Sequence, residues 1–201
     1  MGIMDKIIER AKSNKQKIVL PESFYEARTV KAGAIIQREG IADVTLLGDP
    51  ATEKDLVKDV GISLAGVAIL DHEKSDLLES FAETYREIRV KENLTKDQAI
   101  AQMKDPLYFG TMMVKKGIMG GMTCGAYNTT ANVMRAAIKI IGSQKGIKTV
   151  SSCFLMIVPD CPYGADGAMI YADCGTVPNP NEEQLADIAI AAAGMCKMLL
   201  G

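Results

Sequence analysis

The strongest constraint in this sequence is an alternation of two textures. Short, almost wholly apolar runs rich in β-branched residues are separated by amphipathic stretches. The runs are Ile18-Val19-Leu20, Val44-Thr45-Leu46-Leu47 and Val67-Ala68-Ile69-Leu70. Between them, residues 26–39 and 51–60 have helical composition, with Val30, Ala34 and Ile35 falling on one face of the first. A strand that is apolar on both faces must be covered on both faces, which is the condition of a parallel sheet in an α/β fold. Gly40, Gly48-Asp49-Pro50 and Gly61 punctuate the connections. The fold class predicted is therefore α/β, a three-layer α/β/α arrangement.

Further along, the pattern predicts a long charged helix over 73–92 and a second helix beginning at Thr95, where Thr95-Lys96-Asp97-Gln98 has the form of a capping box, with Pro106 ending it. Met112, Met113, Met119 and Met122 then crowd around Gly110, Gly117, Gly120, Gly121 and Gly125, a texture of close backbone approach filled by flexible side chains. Residues 131–141 read as a helix, 149–158 as a central strand, 159–167 as a loop and 168–172 as a further strand. A last helix runs to Leu200, with Asn179 as its cap, Pro180 in its first turn, and Glu182 and Glu183 complementing its dipole. The division expected is a first α/β domain over 1–147 and the beginning of a second over 148–201.

Composition narrows the chemistry. Of the 201 residues 48% are apolar and 24% charged, so the chain folds. Its 23 Lys and Arg against 25 Asp and Glu leave a net charge of −2, without a basic block to track a phosphate backbone, so nucleic acid is not an expected partner. Five Cys without a C-x-x-C spacing and a single His offer no metal cage, and the thiols read as reduced in a cytoplasmic protein. Cys153, Cys174 and Cys196 read as small core residues. No run approaches the roughly 18 apolar residues of a membrane span, and the amino-terminal segment is charged throughout, unlike an export signal. His72 reads as a solvated residue at a helix start, which leaves no support for a Ser-His-Asp or Cys-His nucleophile.

The most informative stretch is Gly117-Ile118-Met119-Gly120-Gly121-Met122-Thr123-Cys124-Gly125-Ala126-Tyr127-Asn128-Thr129-Thr130. Glycines and small polar residues between a strand and a helix amino terminus expose backbone N–H groups, hydroxyls and partial positive charge at one point. Arg135, roughly one turn into that helix, adds a permanent charge, and the combination predicts a site for an oxyanion such as phosphate. The spacing is neither a Walker A loop nor a dinucleotide fingerprint, and glycines in such a place also serve plain α/β packing.

Together with Tyr108-Phe109-Gly110-Thr111-Met112-Met113-Val114, Val150-Ser151-Ser152, Ala172-Asp173, Asn179-Pro180-Asn181 and the 184–190 run, and with Val19-Leu20-Pro21-Glu22 and Glu26-Ala27-Arg28 upstream, this stretch resembles the phosphate acetyltransferase family along essentially the whole chain. The resemblance implies two α/β domains flanking a cleft, related to isocitrate and isopropylmalate dehydrogenases. It implies interconversion of acetyl-CoA plus phosphate with acetyl phosphate plus CoA, with CoA as a substrate and no cofactor, in a homo-oligomer, a dimer. Members of that family run well past this length, and by resemblance their catalytic Ser-Arg-Gly segment and downstream Asp would follow Gly201. The expectation is thus a chain that lacks its catalytic third, is inactive alone, and self-associates through its Met-rich stretch and its last helix.

By the same resemblance Arg135 and Arg89 match arginines that contact CoA or phosphate, and Thr129 and Thr130 match a Ser/Thr pair near the acyl phosphate. Arg89 has a surface salt bridge, and the threonines a capping role, as alternatives. Asn128 and Cys124 stand where most members carry His and Ser, and Gly120 where most carry an acid, so the aligned site keeps its shape better than its proton chemistry. Cys161, on the 159–167 loop, is a candidate reactive thiol, with an ordinary loop cysteine as the alternative. Two other functions stay open: a phosphate butyryltransferase, and a non-catalytic CoA- or phosphate-binding or assembly fragment.

Overall fold

The computed structural model describes residues 2–51 and 61–201, which gather into two compact units. One comprises Arg10–Gly142; the other joins Ser143–Gly201 to the residues up to Glu9, the division falling within helix α1 (Ile3–Ser13). The helix expected over 51–60 lies, apart from Ala51, outside the described residues.

The larger unit is built on four parallel strands, β1 (Gln16–Leu20), β2 (Ala42–Leu47), β3 (Ala68–Leu70) and β4 (Gly121–Met122), in the order β3-β2-β1-β4. Alternation along the strands divides the core in two. Leu20, Val44 and Leu46 pack with Val30 of helix α2 (Ala27–Arg38). Val19 and Leu47 face the opposite way, into a cluster formed by helices α3 (Leu77–Ile88), α4 (Lys96–Met103), α5 (Pro106–Lys115) and α6 (Thr130–Ile140). Apolar runs covered on both sides are what the sequence requires, and an α/β fold is what forms.

On the α2 side the helix lies so close to the sheet that a Cβ on Gly33 would stand 3.1 to 3.2 Å from Leu46, Leu20 and Val44. On the other side the methionines do the filling: Met112 and Met113 are buried in α5, and Met119 just before β4. The Met-rich stretch is therefore core, which corrects the expectation that it forms a self-association surface.

Three local readings are corrected as well. The helix expected over 73–92 is broken: a 3-10 turn covers His72–Lys74, Ser75 is extended, and the Ser75 hydroxyl accepts from the N–H of Leu77 to start α3 afresh. A second 3-10 turn, Val90–Glu92, follows. Short polar side chains that bond to nearby backbone compete with helix propagation. Pro106 does not end a helix but opens one, since α4 stops at Met103 and the Asp105 carboxylate caps α5 at 2.8 Å from the N–H of Leu107. His72 is buried, not solvated: its Nε2 donates to the carbonyl oxygen of Lys104 at 2.9 Å, and its ring meets Phe109 edge-on. Its Nδ1 has no partner among the described residues.

The smaller unit holds β5 (Cys153–Ile157) and β6 (Ala168–Ala172) as an antiparallel pair, with β6 packed on α7 (Glu182–Leu200). The stretch expected as a central strand is thus shorter and open on one side, with Phe154 and Met156 exposed beside Tyr171. Residues 148–152 are held by carboxylates instead of a sheet. Asp187 accepts from the N–H groups of Lys148 and Thr149 at 3.1 and 2.9 Å, and Asp173 accepts from the N–H and hydroxyl of Ser152 and from the N–H groups of Gly175, Thr176 and Val177. The α7 cap is Asn181, in a reciprocal pair with Gln184 at 2.9 Å each way, not Asn179; Glu182 and Glu183 still occupy the first turn.

Gly33 supplies a direct check of the packing. Replacing it with leucine should destabilise the chain by about 2 kcal/mol or more, because overfilling a close helix–sheet contact outweighs the gain in helix propensity. Thermal melting followed by circular dichroism at an unchanged midpoint would contradict this placement of α2.

Candidate functional site

Strands β1, β2 and β3 succeed one another in one direction across the sheet, and the chain then returns to place β4 on the free side of β1. The point where order reverses, between the carboxyl ends of β1 and β4, is where open parallel sheets form a crevice. Pro21-Glu22-Ser23 leaves β1 at that point, and Thr123 to Thr129 leaves β4.

These two segments meet through a carboxylate. Glu22 is 1% exposed. Its Oε2 accepts from the N–H groups of Gly125 and Ala126 at 2.8 and 2.7 Å, and its Oε1 accepts from the N–H and Nδ2 of Asn128 at 2.7 and 3.0 Å. Gly125 takes φ +113°, a conformation open to glycine that turns successive amides toward one point. Burial alone pushes the Glu22 carboxyl up. The hydrogen bonds from Asn128, Ala126 and Gly125 more than offset this and hold it below the usual carboxylate range. The neighbouring Ser23, fully buried, donates to the carbonyl oxygen of Leu47 at 3.0 Å and so ties the Glu22 segment to β2.

The glycine-rich segment does form an oxyanion cradle, but the oxyanion is the protein's own. Amides expected to face an external ligand are taken by Glu22. Nor does Arg135 close over them: it is exposed on α6, and its Nη1 donates to Asn132 Oδ1 at 2.9 Å. The amides of Gly125, Ala126 and Asn128 and the Arg135 guanidinium, expected to share one anion, thus have separate partners in this structure.

Other expected residues are placed as follows. Thr129 caps α6, its hydroxyl accepting from the N–H of Asn132 at 3.3 Å, while the Thr130 side chain stands exposed beside it. Asn128 spends both its N–H and its side-chain amide on Glu22. Arg89 ends α3, with its guanidinium on Glu92, Nε lying 3.1 Å from Oε1. Cys124 is half-buried against the core, its thiol pushed up to about 11 by burial and then by the Glu22 charge, so it is not a thiolate near neutrality. Cys161 is half-buried on the loop of the smaller unit. The residue that sequence reasoning missed is Glu22; its signal was an acid two residues past an apolar strand.

Beside Glu22 lies a largely apolar cavity of about 290 Å³, lined by Leu20, Thr29, Ile36, Cys124 and Ala126, with Arg28 at its rim. Arg28 pairs with Glu26, which caps α2, and reaches the Ala126 carbonyl at 3.4 Å. Tyr25 and Tyr127 stack at 4.7 Å, a further tie between the two segments. No described helix is long and apolar enough to cross a membrane.

A family described as phosphate acetyl/butaryl transferase matches residues 2–201. A phosphate acetyltransferase of Acetivibrio thermocellus is 47% identical over 201 residues, and one of Thermoanaerobacterium thermosaccharolyticum is 44% identical; each alignment takes in 100% of this chain and 60% of the relative. Among solved structures, a phosphotransacetylase from Streptococcus pyogenes superposes with a TM-score of 0.89 at 29% identity, covering 98% of this chain and 58% of that one. The chain thus spans 60% of the length of these two curated relatives.

The Glu22 geometry predicts a pH-dependent stability. Glu22→Gln should cost about 2–4 kcal/mol near neutrality, because a buried charged acceptor is lost and an N–H donor is turned toward donors. A carboxyl whose folded pKa is depressed stabilises fully above its unfolded value, about 4.3, and loses that contribution as pH falls through the lower folded value. The gap between wild type and variant, measured by urea unfolding, should therefore be constant from pH 7 to about 5 and shrink below about 4. A gap that is absent at pH 7, or that widens in acid, would contradict the assignment.

Proposed function

Because this chain belongs to the phosphate acetyl/butaryl transferase family, we propose that it serves acetyl transfer between CoA and phosphate, acetyl-CoA plus phosphate giving acetyl phosphate plus CoA. The observation that carries this reading is identity of 47% with a phosphate acetyltransferase, sustained over all 201 residues. In the direction of acetyl-CoA synthesis, the CoA sulfur attacks the acetyl carbonyl carbon as its proton passes to water or to the departing phosphate, negative charge develops on the carbonyl oxygen, and the C–O bond to phosphate breaks as the thioester forms. No covalent acyl-enzyme is required, and Cys124, with its raised thiol pKa, is unsuited to forming one.

What this chain's residues contribute is binding and orientation. Holding two anionic substrates in contact supplies much of the rate, and fixed positive charge and N–H dipoles supply much of the remainder. Arg135 lies on an exposed surface of α6, its guanidinium making one hydrogen bond among the described residues, to Asn132, and Thr130 presents an exposed hydroxyl near the start of the same helix. These are the groups we assign to the anionic parts of CoA or phosphate. The protein is read as cytoplasmic, on its five free thiols, and as a homo-oligomer, on the exposed Phe154, Met156 and Tyr171 of one unit and Leu185, Ile190 and Met198 along α7.

Titration calorimetry with CoA, alongside a thioester assay using acetyl phosphate and butyryl phosphate, tests the proposal. Arg135→Ala should weaken CoA or phosphate binding about 10-fold or more, the loss of one charge-assisted contact, without shifting the melting temperature. CoA bound at wild-type strength by that variant would remove Arg135 from the site. Turnover of butyryl phosphate in preference to acetyl phosphate would move the assignment to butyryl transfer.

A further inference from the structure

We propose that Glu22 is the positioning residue of the 123–130 segment: an internal carboxylate stands where a bound anion would, and it fixes the direction in which Thr129 and Thr130 enter α6. The inference rests on the reading that this segment faces substrate, and goes beyond it by naming what holds the segment in place.

Between the end of β4 at Met122 and the cap of α6 at Thr129 the backbone belongs to no strand or helix. The N–H groups of Gly125, Ala126 and Asn128 have neither ladder nor helix partners, and all three are directed at one carboxylate. Removing that acceptor leaves three backbone donors with nothing to bond but water, and the charge-assisted bonds that hold them to one point are lost. Other ties among the described residues are the Thr123 N–H bond to the Val19 carbonyl at 3.1 Å, the exposed Tyr25–Tyr127 stack and the 3.4 Å Arg28 contact, each weaker than a charged acceptor with four donors.

The carboxylate is itself held from behind. Glu22 sits two residues past β1 and beside Ser23, whose hydroxyl is bonded to the end of β2, so its position is set by the sheet. The order of control therefore runs from sheet to Glu22 to amides to the first turn of α6. Glu22 is 1% exposed and its carboxylate is engaged by four donors of the 125–128 stretch, so it acts through the segment it holds.

Glu22→Ala deletes one methylene and one carboxylate, which together are the atoms of acetate. The test is hydrogen exchange at Gly125, Ala126 and Asn128 in the full chain, with β1 and β2 amides as an internal reference. In Glu22→Ala the three amides should exchange about 100-fold faster than the overall loss of stability, read from the β1 and β2 amides, accounts for, and 50 mM acetate, but not chloride, should restore at least about 10-fold of the protection. Unchanged exchange, or loss that acetate does not repair, would overturn the proposal. If Glu22→Ala does not fold, Glu22→Gln carries the test, since its side chain fills the space but withholds an acceptor. The same three amides should then open about 10-fold, and wild-type exchange would overturn the proposal.

CoA titration separates this from the reading beneath it. Weaker CoA binding by Glu22→Ala, recovered with acetate, supports both. A wild-type chain that binds neither CoA nor phosphate removes the substrate reading, and with it the functional part of the proposal, whatever the amides do.

Discussion

The arrangement at the crevice depends on one carboxylate that accepts four hydrogen bonds. A buried ionised Glu is expensive in itself, and an irregular loop with unpartnered amides is expensive in itself. Brought together, Glu22 and the 125–128 amides cancel each other's cost. That compensation permits a glycine-rich stretch without secondary structure to hold a single conformation at the carboxyl end of a parallel sheet. It also explains why Asn128 suits its position: its side-chain amide adds a fourth donor to the same oxygen pair.

The smaller unit uses the same device. Asp173 accepts from Ser152 and from the amides of Gly175, Thr176 and Val177, and Asp187 accepts from Lys148 and Thr149. Burial pushes the Asp173 carboxyl up, and the bonds from Ser152, Val177 and Gly175 bring it well below the usual range. In both units, acids take the part that ladder bonds play elsewhere and set loops that no strand reaches. Three of the stretches that carry the family resemblance, Leu20-Pro21-Glu22, Ser151-Ser152 and Ala172-Asp173, coincide with these points of attachment.

Much of the fold was legible in the sequence because its causes are local. Three apolar runs became β1, β2 and β3; Glu26 and Glu39 bound α2 as its caps; Thr95 and Gln98 close their box. Elements were misread where two local signals compete. Pro106 is compatible with a stop and with a start, and Asp105 decides for the start. Apolar residues at 153–157 resemble a central strand, yet their only strand partner among the described residues is β6, because the preceding residues are taken up by Asp173 and Asp187.

The candidate site was half legible for the same reason. That the 117–130 stretch would converge its amides follows from glycine and from the helix start at Thr129. What fills them does not, because Glu22 lies more than a hundred residues earlier and reaches them only through the pairing of β1 with β4. The central claim is that Glu22 is ionised and saturated with donors inside this crevice, and the most direct measurement is the titration of its side-chain carboxyl carbon by NMR. A midpoint below about 4.3, accompanied by shifts of the Gly125, Ala126 and Asn128 amides at the same pH, is the result predicted. A midpoint at or above that value, with those amides unmoved, would contradict it.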